Sequence, residues 1–499
     1  MKRFGLLLLI TATSAFAQAP IRVYTTPTSP PHEHLERLSL QQAWRIRLKT
    51  DGQRDGLATI QLMPGKDGNQ LLVQTIAGQV FAVDAESGAT LWSTPVGRPY
   101  QILQPLTVNS RLVIAVRREQ IFVIDRENGK QLLYSVDKDS QLPVLGQALD
   151  GVPSAMPWAD EDAVHVPFTG RTSCYFLPNF HAALRARPRT KDDAGQLLVP
   201  SPQLERLFNV LIDPQQVQVP PFLTNEFLCL ACSDGTFLSL NKFTGKEFFR
   251  YKVQGPITAA MAQHDTHAYV ASEDNHLYAF DVSRGKLVWE VSGSAPILRK
   301  VEATDKDVFM TPDRQGLHRV DRKSGAIVWR NRAAERLIAC SPKFVFATDR
   351  VGNLLVLDHE RGTELATLHM RDWIVPISND LTDRLYFAAH DGSILCLHHR
   401  DHRTPFRVKT SPETAFDAKP KPADPGKKPV EPKDDKKDDK KGEMANRARG
   451  ADISVCPGPG QTEMSAPPSC CSWFGTNCDE TDCDRRLRHG EPAQRAEGD

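Results

Sequence analysis

Short runs of alternating apolar and polar residues recur along the middle of the chain and predict β-strands rather than helices. Typical runs are Phe227-Leu228-Cys229-Leu230 and Thr236-Phe237-Leu238-Ser239-Leu240, which are rich in aromatic and aliphatic residues. Ser233-Asp234-Gly235 lies between these two runs, where a tight hairpin needs the positive φ that glycine adopts easily. The pattern therefore predicts an all-β middle region.

The strand-like runs belong to an internal repeat in which aspartate, glycine and tryptophan keep a fixed spacing. Glycine follows the aspartate by four residues and tryptophan follows it by eight. The clearest copies contain Asp84, Gly88 and Trp92; Asp281, Gly285 and Trp289; and Asp321, Gly325 and Trp329. Weaker copies contain Asp125 and Gly129; Asn241, Gly245 and Phe249; and Asp358 and Gly362, and degenerate copies place Pro178 and His398 at the first position. Most copies are 37 to 41 residues apart, the length of a four-stranded antiparallel unit.

The repeated residues fit a structural role that requires no chemistry. An Asp or Asn at the start of the last hairpin can accept hydrogen bonds from the turn, and glycine permits the chain to reverse. Tryptophan can then pack against the neighbouring unit, with its indole N–H bound to a carbonyl group. We therefore interpret the repeated residues as architectural and assign none of them a catalytic role.

Residues 41–48 contain Trp44 and resemble the last strand of a repeat whose other strands are missing. The copy at His398 is followed by no tryptophan-bearing strand, so the N-terminal strand can complete its sheet and close a ring without free edges. The predicted fold is an eight-bladed β-propeller of four-stranded antiparallel blades, closed by an N-terminal strand. Seven blades is the alternative, because residues 163–177 lack the Asp and the Gly.

The pattern Ala-x-Asp-x-x-x-Gly-x-x-x-Trp resembles the pyrroloquinoline-quinone-like β-propeller repeat over residues 41–407. The resemblance implies a propeller like that of the quinoprotein alcohol dehydrogenases and of the propeller lipoprotein in outer-membrane β-barrel assembly, which is closer in size. Those dehydrogenases use a calcium-bound quinone, an Asp base and two adjacent half-cystines. The adjacent cysteines of this chain, Cys470 and Cys471, lie outside the repeats, so this feature does not carry over.

The ends of the chain differ in composition from the repeats. Lys2 and Arg3, an apolar run at residues 4–10 and Ala15-Phe16-Ala17 predict a signal peptide over residues 1–17. No cysteine lies near the cleavage site, which favours a soluble exported protein over a lipid-anchored one. We predict an N-terminal extension at 18–39, the propeller at 40–408, a disordered Lys/Asp/Pro linker at 409–450 and a cysteine-containing tail at 451–499.

Residues 181–222 are predicted to be an insertion between the third and fourth repeats. Within it, residues 201–212 have a Ser-Pro start and apolar residues at helical spacing, which predicts a short helix on the surface of the propeller. This helix is either a contact site for a partner or a lid packed on the propeller.

Composition limits the classes of function. The 499 residues include 40% apolar and 25% charged residues with a net charge of +1, which argues against a nucleic-acid partner. No apolar run reaches about twenty residues, so no transmembrane segment is predicted. No Gly-x-Ser-x-Gly, His-Glu-x-x-His or phosphate-binding loop motif occurs.

The ten cysteines divide into two groups of five. One group lies in strand-like segments and is predicted to be buried and apolar; it comprises Cys174, Cys229, Cys232, Cys340 and Cys396. The other is in the tail and comprises the disulfide candidates Cys456, Cys470, Cys471, Cys478 and Cys483, with zinc binding as the alternative. Their odd number leaves one thiol over or paired with another molecule.

Histidines cluster at residues 32–34 and 398–402, where solvated side chains are expected rather than a metal site.

Taken together, these features predict a monomeric, non-enzymatic, exported scaffold, periplasmic or extracellular, that binds an unknown protein partner in the cell envelope without a metal or cofactor. The alternative is a pyrroloquinoline-quinone-dependent dehydrogenase of the cell envelope.

Overall fold

The computed structural model describes residues 26–50, 55–65, 68–136, 143–180, 190–191, 197–198 and 203–410. In these residues the repeats form antiparallel sheets that are arranged as the eight blades of a β-propeller, which confirms the predicted fold class and the blade count. The predicted signal peptide, most of the predicted linker and the tail with its five cysteines lie outside the described residues.

Five blades have four strands in simple sequence order, running from the inner strand to the outer strand. Blade 1 contains Leu57–Met63, Gln70–Thr75, Gln79–Asp84 and Thr90–Pro95. Blade 4 contains Phe222–Leu223, Phe227–Ala231, Thr236–Asn241 and Glu247–Lys252. Blade 5 contains Ala262–His264, His267–Ala271, His276–Asp281 and Lys286–Ser292. Blade 6 contains Glu302–Ala303, Asp307–Met310, Leu317–Asp321 and Ile327–Asn331, and blade 7 contains Arg336–Cys340, Phe344–Thr348, Leu354–Asp358 and Glu364–Leu368.

Blades 2 and 3 carry additional segments. Blade 2 contains Thr107–Val108, Leu112–Arg117, Gln120–Asp125 and Gln147–Ala148, with a hairpin of Tyr134–Val136 and Pro143–Leu145 before its outer strand. Blade 3 contains Trp158–Ala159, Ala163–Phe176 and Glu205–Gln216, with a small hairpin of Thr190–Lys191 and Leu197–Leu198 between the last two. The backbone N–H of Leu177 donates to the carbonyl of Asp162 at 2.7 Å, so the two ends of Ala163–Phe176 lie close together.

Glu205–Gln216 corrects the prediction for the insertion. The helix predicted over residues 201–212 is wrong, because Glu205–Gln216 is a strand that pairs with the second half of Ala163–Phe176. Phe208, Val210 and Ile212 are more buried than the exposed Leu207 and Leu211. Pairing with Ala163–Phe176 turns every second residue, Phe208, Val210 and Ile212, toward the core. The exposed Leu207 and Leu211 are additional apolar residues, and they give the sequence its helical spacing.

Blade 8 joins the two ends of the propeller. Leu385–Ala388 pairs with Ser393–His399, which in turn pairs with the N-terminal strand Leu40–Arg47. Trp44 lies opposite Cys396, as the predicted closure requires. A short helix, His32–Arg37, precedes this strand and buries Leu35.

The core consists of apolar layers between neighbouring blades. One such layer combines Trp44, Leu57 and Phe81 with Tyr386 and Cys396 at the junction of blades 8 and 1. The five cysteines predicted to be buried are indeed buried and free; they are Cys174, Cys229, Cys232, Cys340 and Cys396. In the described part of the chain, no helix is long and apolar enough to span a bilayer.

Candidate functional site

Tryptophan side chains join neighbouring blades through one recurring hydrogen bond. The indole Nε1–H of Trp44 donates to the carbonyl oxygen of Ala85 at 3.1 Å, across the junction of blades 8 and 1. Equivalent bonds join Trp92 to Arg126 at 2.8 Å, Trp289 to Arg322 at 3.0 Å and Trp329 to His359 at 2.8 Å. Each acceptor directly follows the repeated aspartate of the next blade, so these bonds fix the spacing between blades.

The repeated glycine lies against the tryptophan ring of the preceding blade. A Cβ atom at Gly88, Gly129, Gly325 or Gly362 would lie 2.4 to 2.7 Å from the nearest ring atom. These glycines also have φ between +67° and +74°, which other residues adopt at a cost. Both constraints require glycine at this position.

Phenylalanine takes the place of tryptophan at two junctions. The ring of Phe208 lies 3.1 Å from the position of a Cβ on Gly245, and Phe249 lies 3.3 Å from that of Gly285. The repeat spacing identified Phe249 in the sequence. It missed Phe208, because the insertion separates Phe208 from the rest of its repeat.

The repeated Asp and Asn side chains accept hydrogen bonds from their own turns. The acceptor oxygens lie 2.7 to 3.1 Å from backbone nitrogens in the pairs Asp84 with Ser87, Asp125 with Glu127, Asn241 with Thr244, Asp281 with Arg284, Asp321 with Ser324 and Asp358 with Arg361. The hydroxyl and the backbone N–H of Ser324 lower the pKa of Asp321. These contacts are the physical basis of the architectural interpretation.

Charged side chains also meet near the inner strand of blade 6 and the segment that precedes Leu385–Ala388 of blade 8. Glu302 is buried and accepts a hydrogen bond from the Ser378 hydroxyl at 2.9 Å. Burial raises the pKa of Glu302 to about 7, and the positive charge of Lys300 opposes this rise. Asp380 accepts a hydrogen bond from Lys409 Nζ at 2.9 Å. Both carboxylates are therefore bound by groups of the chain itself.

The predicted histidine clusters contact carboxylates. His402 Nδ1 lies 2.5 Å from Asp383 Oδ2, and His32 Nδ1 lies 3.5 Å from Glu36. Within the described ranges, no group of three His, Cys, Asp or Glu side chains is close enough to hold a metal ion.

The loops of the propeller lie on two faces. Strands of a blade alternate in direction, so the connections between blades and the hairpins between second and third strands lie at one end. We call this end the connection face. The turns that contain the repeated Asp and Gly lie at the other end, which we call the anchor face.

The connection face carries large apolar side chains that are exposed to solvent. Tyr100 is 61% exposed and Ile102 is 70% exposed, both in the connection between blades 1 and 2. Other exposed apolar residues on this face are Val152, Leu298, Val351 and Ile374. Large apolar side chains exposed close to each other, as Tyr100 and Ile102 are in one connection, are typical of interaction surfaces. The repeat pattern did not reveal them, because the connections differ from one repeat to the next.

A family model described as "Outer membrane protein assembly factor BamB" matches residues 34–171 and 214–335, which together are more than half of the chain. The chain belongs to this BamB family. The match is interrupted at residues 172–213, where blade 3 has its insertion. Between the two matched segments, the chain therefore departs from the BamB pattern in blade 3.

Solved structures are similar to this chain at the level of the fold alone. The crystal structure of BamB from Moraxella catarrhalis is similar with a TM-score of 0.52 and 16% sequence identity, covering 73% of this chain and 98% of that chain. A computationally designed protein, Ika8, gives a TM-score of 0.49 and 14% identity, covering 72% of this chain and 99% of that chain. No curated protein sequence matches this chain.

Proposed function

We propose that this BamB-family propeller is a non-enzymatic scaffold, exported to the cell envelope, that binds a protein partner through its connection face. The observation that carries the proposal is the set of exposed apolar side chains on that face, led by Tyr100 and Ile102. Aromatic and aliphatic side chains in such a position stabilise a complex when a partner covers them.

The closed ring supports this function because it holds the loops in place. Trp44, Trp92, Trp289 and Trp329 bind each of their blades to the next, so the connections start and end on fixed strands. A surface that is ordered before binding loses less conformational entropy when the complex forms. The repeated residues therefore serve the contact indirectly, by building a rigid support.

The cell envelope and a protein partner are further supported by the family description, which names an outer-membrane protein assembly factor. The sequence of residues 1–17 supports export. N-terminal sequencing of the protein from an envelope fraction tests this part, with Gln18 expected as the first residue. An intact Met1 terminus in cytoplasmic material would contradict export.

The scaffold is proposed to act as a monomer, because the N-terminal strand of the same chain completes the sheet of the last blade, so closing the ring needs no second chain. Light scattering of the purified protein is expected to give the mass of one chain. A mass of two chains at micromolar concentration would contradict this part.

The partner is tested by affinity capture of the full-length protein from a cross-linked envelope fraction. The double variant Tyr100→Asp/Ile102→Asp places two charges on the connection face and is expected to reduce recovery of the partner about tenfold or more. The matched control, Val288→Asp/Val328→Asp, places two charges at exposed apolar positions on outer strands. Thermal melting of both variants confirms that the propeller remains folded.

Recovery of the same partner with wild type and control, but not with the connection-face variant, would support the proposal. Equal recovery with all three proteins would locate the contact elsewhere.

A further inference from the structure

A groove of about 580 Å³ crosses the connection face where blades 5, 6 and 7 meet. Four loops form its walls: residues 298–299 between blades 5 and 6, 311–316 in blade 6, 332–335 between blades 6 and 7, and 349–351 in blade 7. The volume is in the range of pockets that enclose small ligands or a few side chains.

Arginines supply the positive charge of the groove. Arg299 Nη2 lies 2.9 Å from Glu335, Arg350 lies 4.0 Å from the same carboxylate, and Arg314 lies 3.6 Å from Asp313. Arg332 also lines the groove and is exposed, and its side chain makes no hydrogen bond or ion pair with any residue in the described part of the chain. Its guanidinium group is free to bind a carboxylate.

The acidic residues of the groove are already engaged. Glu335 is shared by two arginines, and Asp349 accepts hydrogen bonds from the backbone N–H groups of Val351 at 2.9 Å and Asn353 at 2.8 Å. The groove contains four arginines against three carboxylates, since Asp313 is the third. A single carboxylate from a partner would balance the excess of one positive charge. The several phosphates of a nucleic-acid backbone would instead be repelled by the three carboxylates of the groove.

Apolar surface lies directly beside the arginines. Leu298 is 50% exposed and Val351 is 58% exposed, and both line the groove together with Pro312 and Ala333. Burying these side chains against an aliphatic group would release water from both surfaces. The groove therefore combines a free cation with an apolar wall.

We infer that this groove binds a short protein segment in which a carboxylate side chain lies next to an aliphatic one. Arg332 is the residue that binds the carboxylate, and Leu298 and Val351 cover the aliphatic group. This inference rests on the proposed function and deepens it by naming the chemistry of the segment that the partner presents.

Selection of random twelve-residue peptides displayed on phage against the full-length protein tests the inference. Enriched peptides are expected to carry Asp or Glu within about two residues of Leu, Ile or Val. Fluorescence anisotropy with the best peptides, labelled with fluorescein, then measures the affinity for wild type and variants. Arg332→Glu and Val351→Asp are each expected to weaken binding about tenfold, because each removes a contact and adds a repulsive charge.

The matched control is Arg361→Glu, which makes the same change of charge in blade 7 on the anchor face. Arg361 follows Asp358 at the opposite end of the strand that begins just after Val351. This variant is expected to bind the peptides within twofold of wild type. Arg332→Lys retains the charge and is expected to lose less affinity than Arg332→Glu.

Three results would overturn the inference: no enrichment of acidic-aliphatic peptides, equal peptide binding by wild type and Arg332→Glu, or Arg332-dependent binding of a twenty-nucleotide DNA probe. Affinity capture from the envelope fraction distinguishes a failure of the groove inference from a failure of the proposed scaffold function. If Arg332→Glu retains the envelope partner while Tyr100→Asp/Ile102→Asp loses it, the groove inference is wrong and the scaffold function stands. If wild type captures no partner, the scaffold function is wrong.

Discussion

Trp44 and Ala85 are joined by a hydrogen bond of 3.1 Å that connects the two ends of the propeller. Trp44 belongs to the N-terminal strand, where its backbone lies opposite Cys396 of blade 8. Its indole ring lies against Gly88 of blade 1. A single residue therefore contacts the last blade through its backbone and the first blade through its side chain.

Replacing Trp44 with alanine is expected to lower the free energy of unfolding by about 3–5 kcal/mol, because it removes a large buried ring and leaves a cavity. Trp44→Phe retains part of the ring packing and is expected to cost less. Urea unfolding followed by circular dichroism measures both changes. Unfolding midpoints equal to that of wild type for both variants would contradict the role of Trp44 in closure.

The contact between glycine and indole predicts a difference between two glycines of blade 7. Gly362 and Gly352 both have positive φ, at +67° and +94°, but a Cβ at Gly362 would lie 2.4 Å from Trp329. At Gly352 the nearest atom would be 3.5 Å away. Gly362→Ala is therefore expected to lower the melting temperature several degrees more than Gly352→Ala. Equal melting temperatures for the two variants would show that backbone strain alone explains the glycine.

Glu302 predicts a pH dependence of stability. Its pKa is raised from 4.5 to about 7, so the folded protein holds this proton more tightly than the unfolded chain does. The free energy of unfolding should therefore fall as the pH rises from about 4.5 to about 7, by up to about 3 kcal/mol from this group. The groups that act on Glu302 are Lys300, Ser378, Asp380 and Arg336.

The variant Glu302→Gln removes this titration. Its stability relative to wild type is expected to improve with rising pH over the same interval, as measured by urea unfolding at several pH values. Glu290→Gln, at an exposed position on the outer strand of blade 5, is the control and is expected to leave the pH profile unchanged. A Glu302→Gln profile parallel to that of wild type would show that Glu302 titrates normally.

The alternative function, a quinone-dependent dehydrogenase, predicts a stoichiometric complex with pyrroloquinoline quinone and Ca²⁺. We expect no such complex and no oxidation of an alcohol with an electron-accepting dye. Glu302 and Asp380 are already bound by Ser378 and Lys409, and the adjacent Cys470 and Cys471 lie outside the repeats. Isothermal titration calorimetry and a dye assay provide the measurements. Tight binding at one equivalent would favour the dehydrogenase.

The blades could be predicted from the sequence because the geometry of each blade requires particular residue types at fixed positions. Asp321, Gly325 and Trp329 keep their spacing because the turn, the close approach and the interblade bond each require one of them. The closing strand could be predicted for the same reason, since Trp44 has the interblade tryptophan without the rest of a repeat.

Blade 3 could not be predicted correctly from local pattern. Leu204, Leu207, Phe208, Leu211 and Ile212 have helical spacing, but pairing with the preceding strand makes this segment a strand. Tertiary pairing overrides the local preference in this segment. The groove could not be predicted from the sequence either, because the fold brings Arg299, Arg332 and Arg350 together from three separate loops.

Site-specific photo-cross-linking tests the central claim most directly. Benzoylphenylalanine is introduced separately at Ile102 and Val351 on the connection face, at Val328 on an outer strand and at Arg361 on the anchor face, and envelope fractions are irradiated. We predict that Ile102 and Val351 cross-link to the same protein and that Val328 and Arg361 do not. Cross-links confined to Val328 or Arg361, or absent at every position, would contradict this prediction.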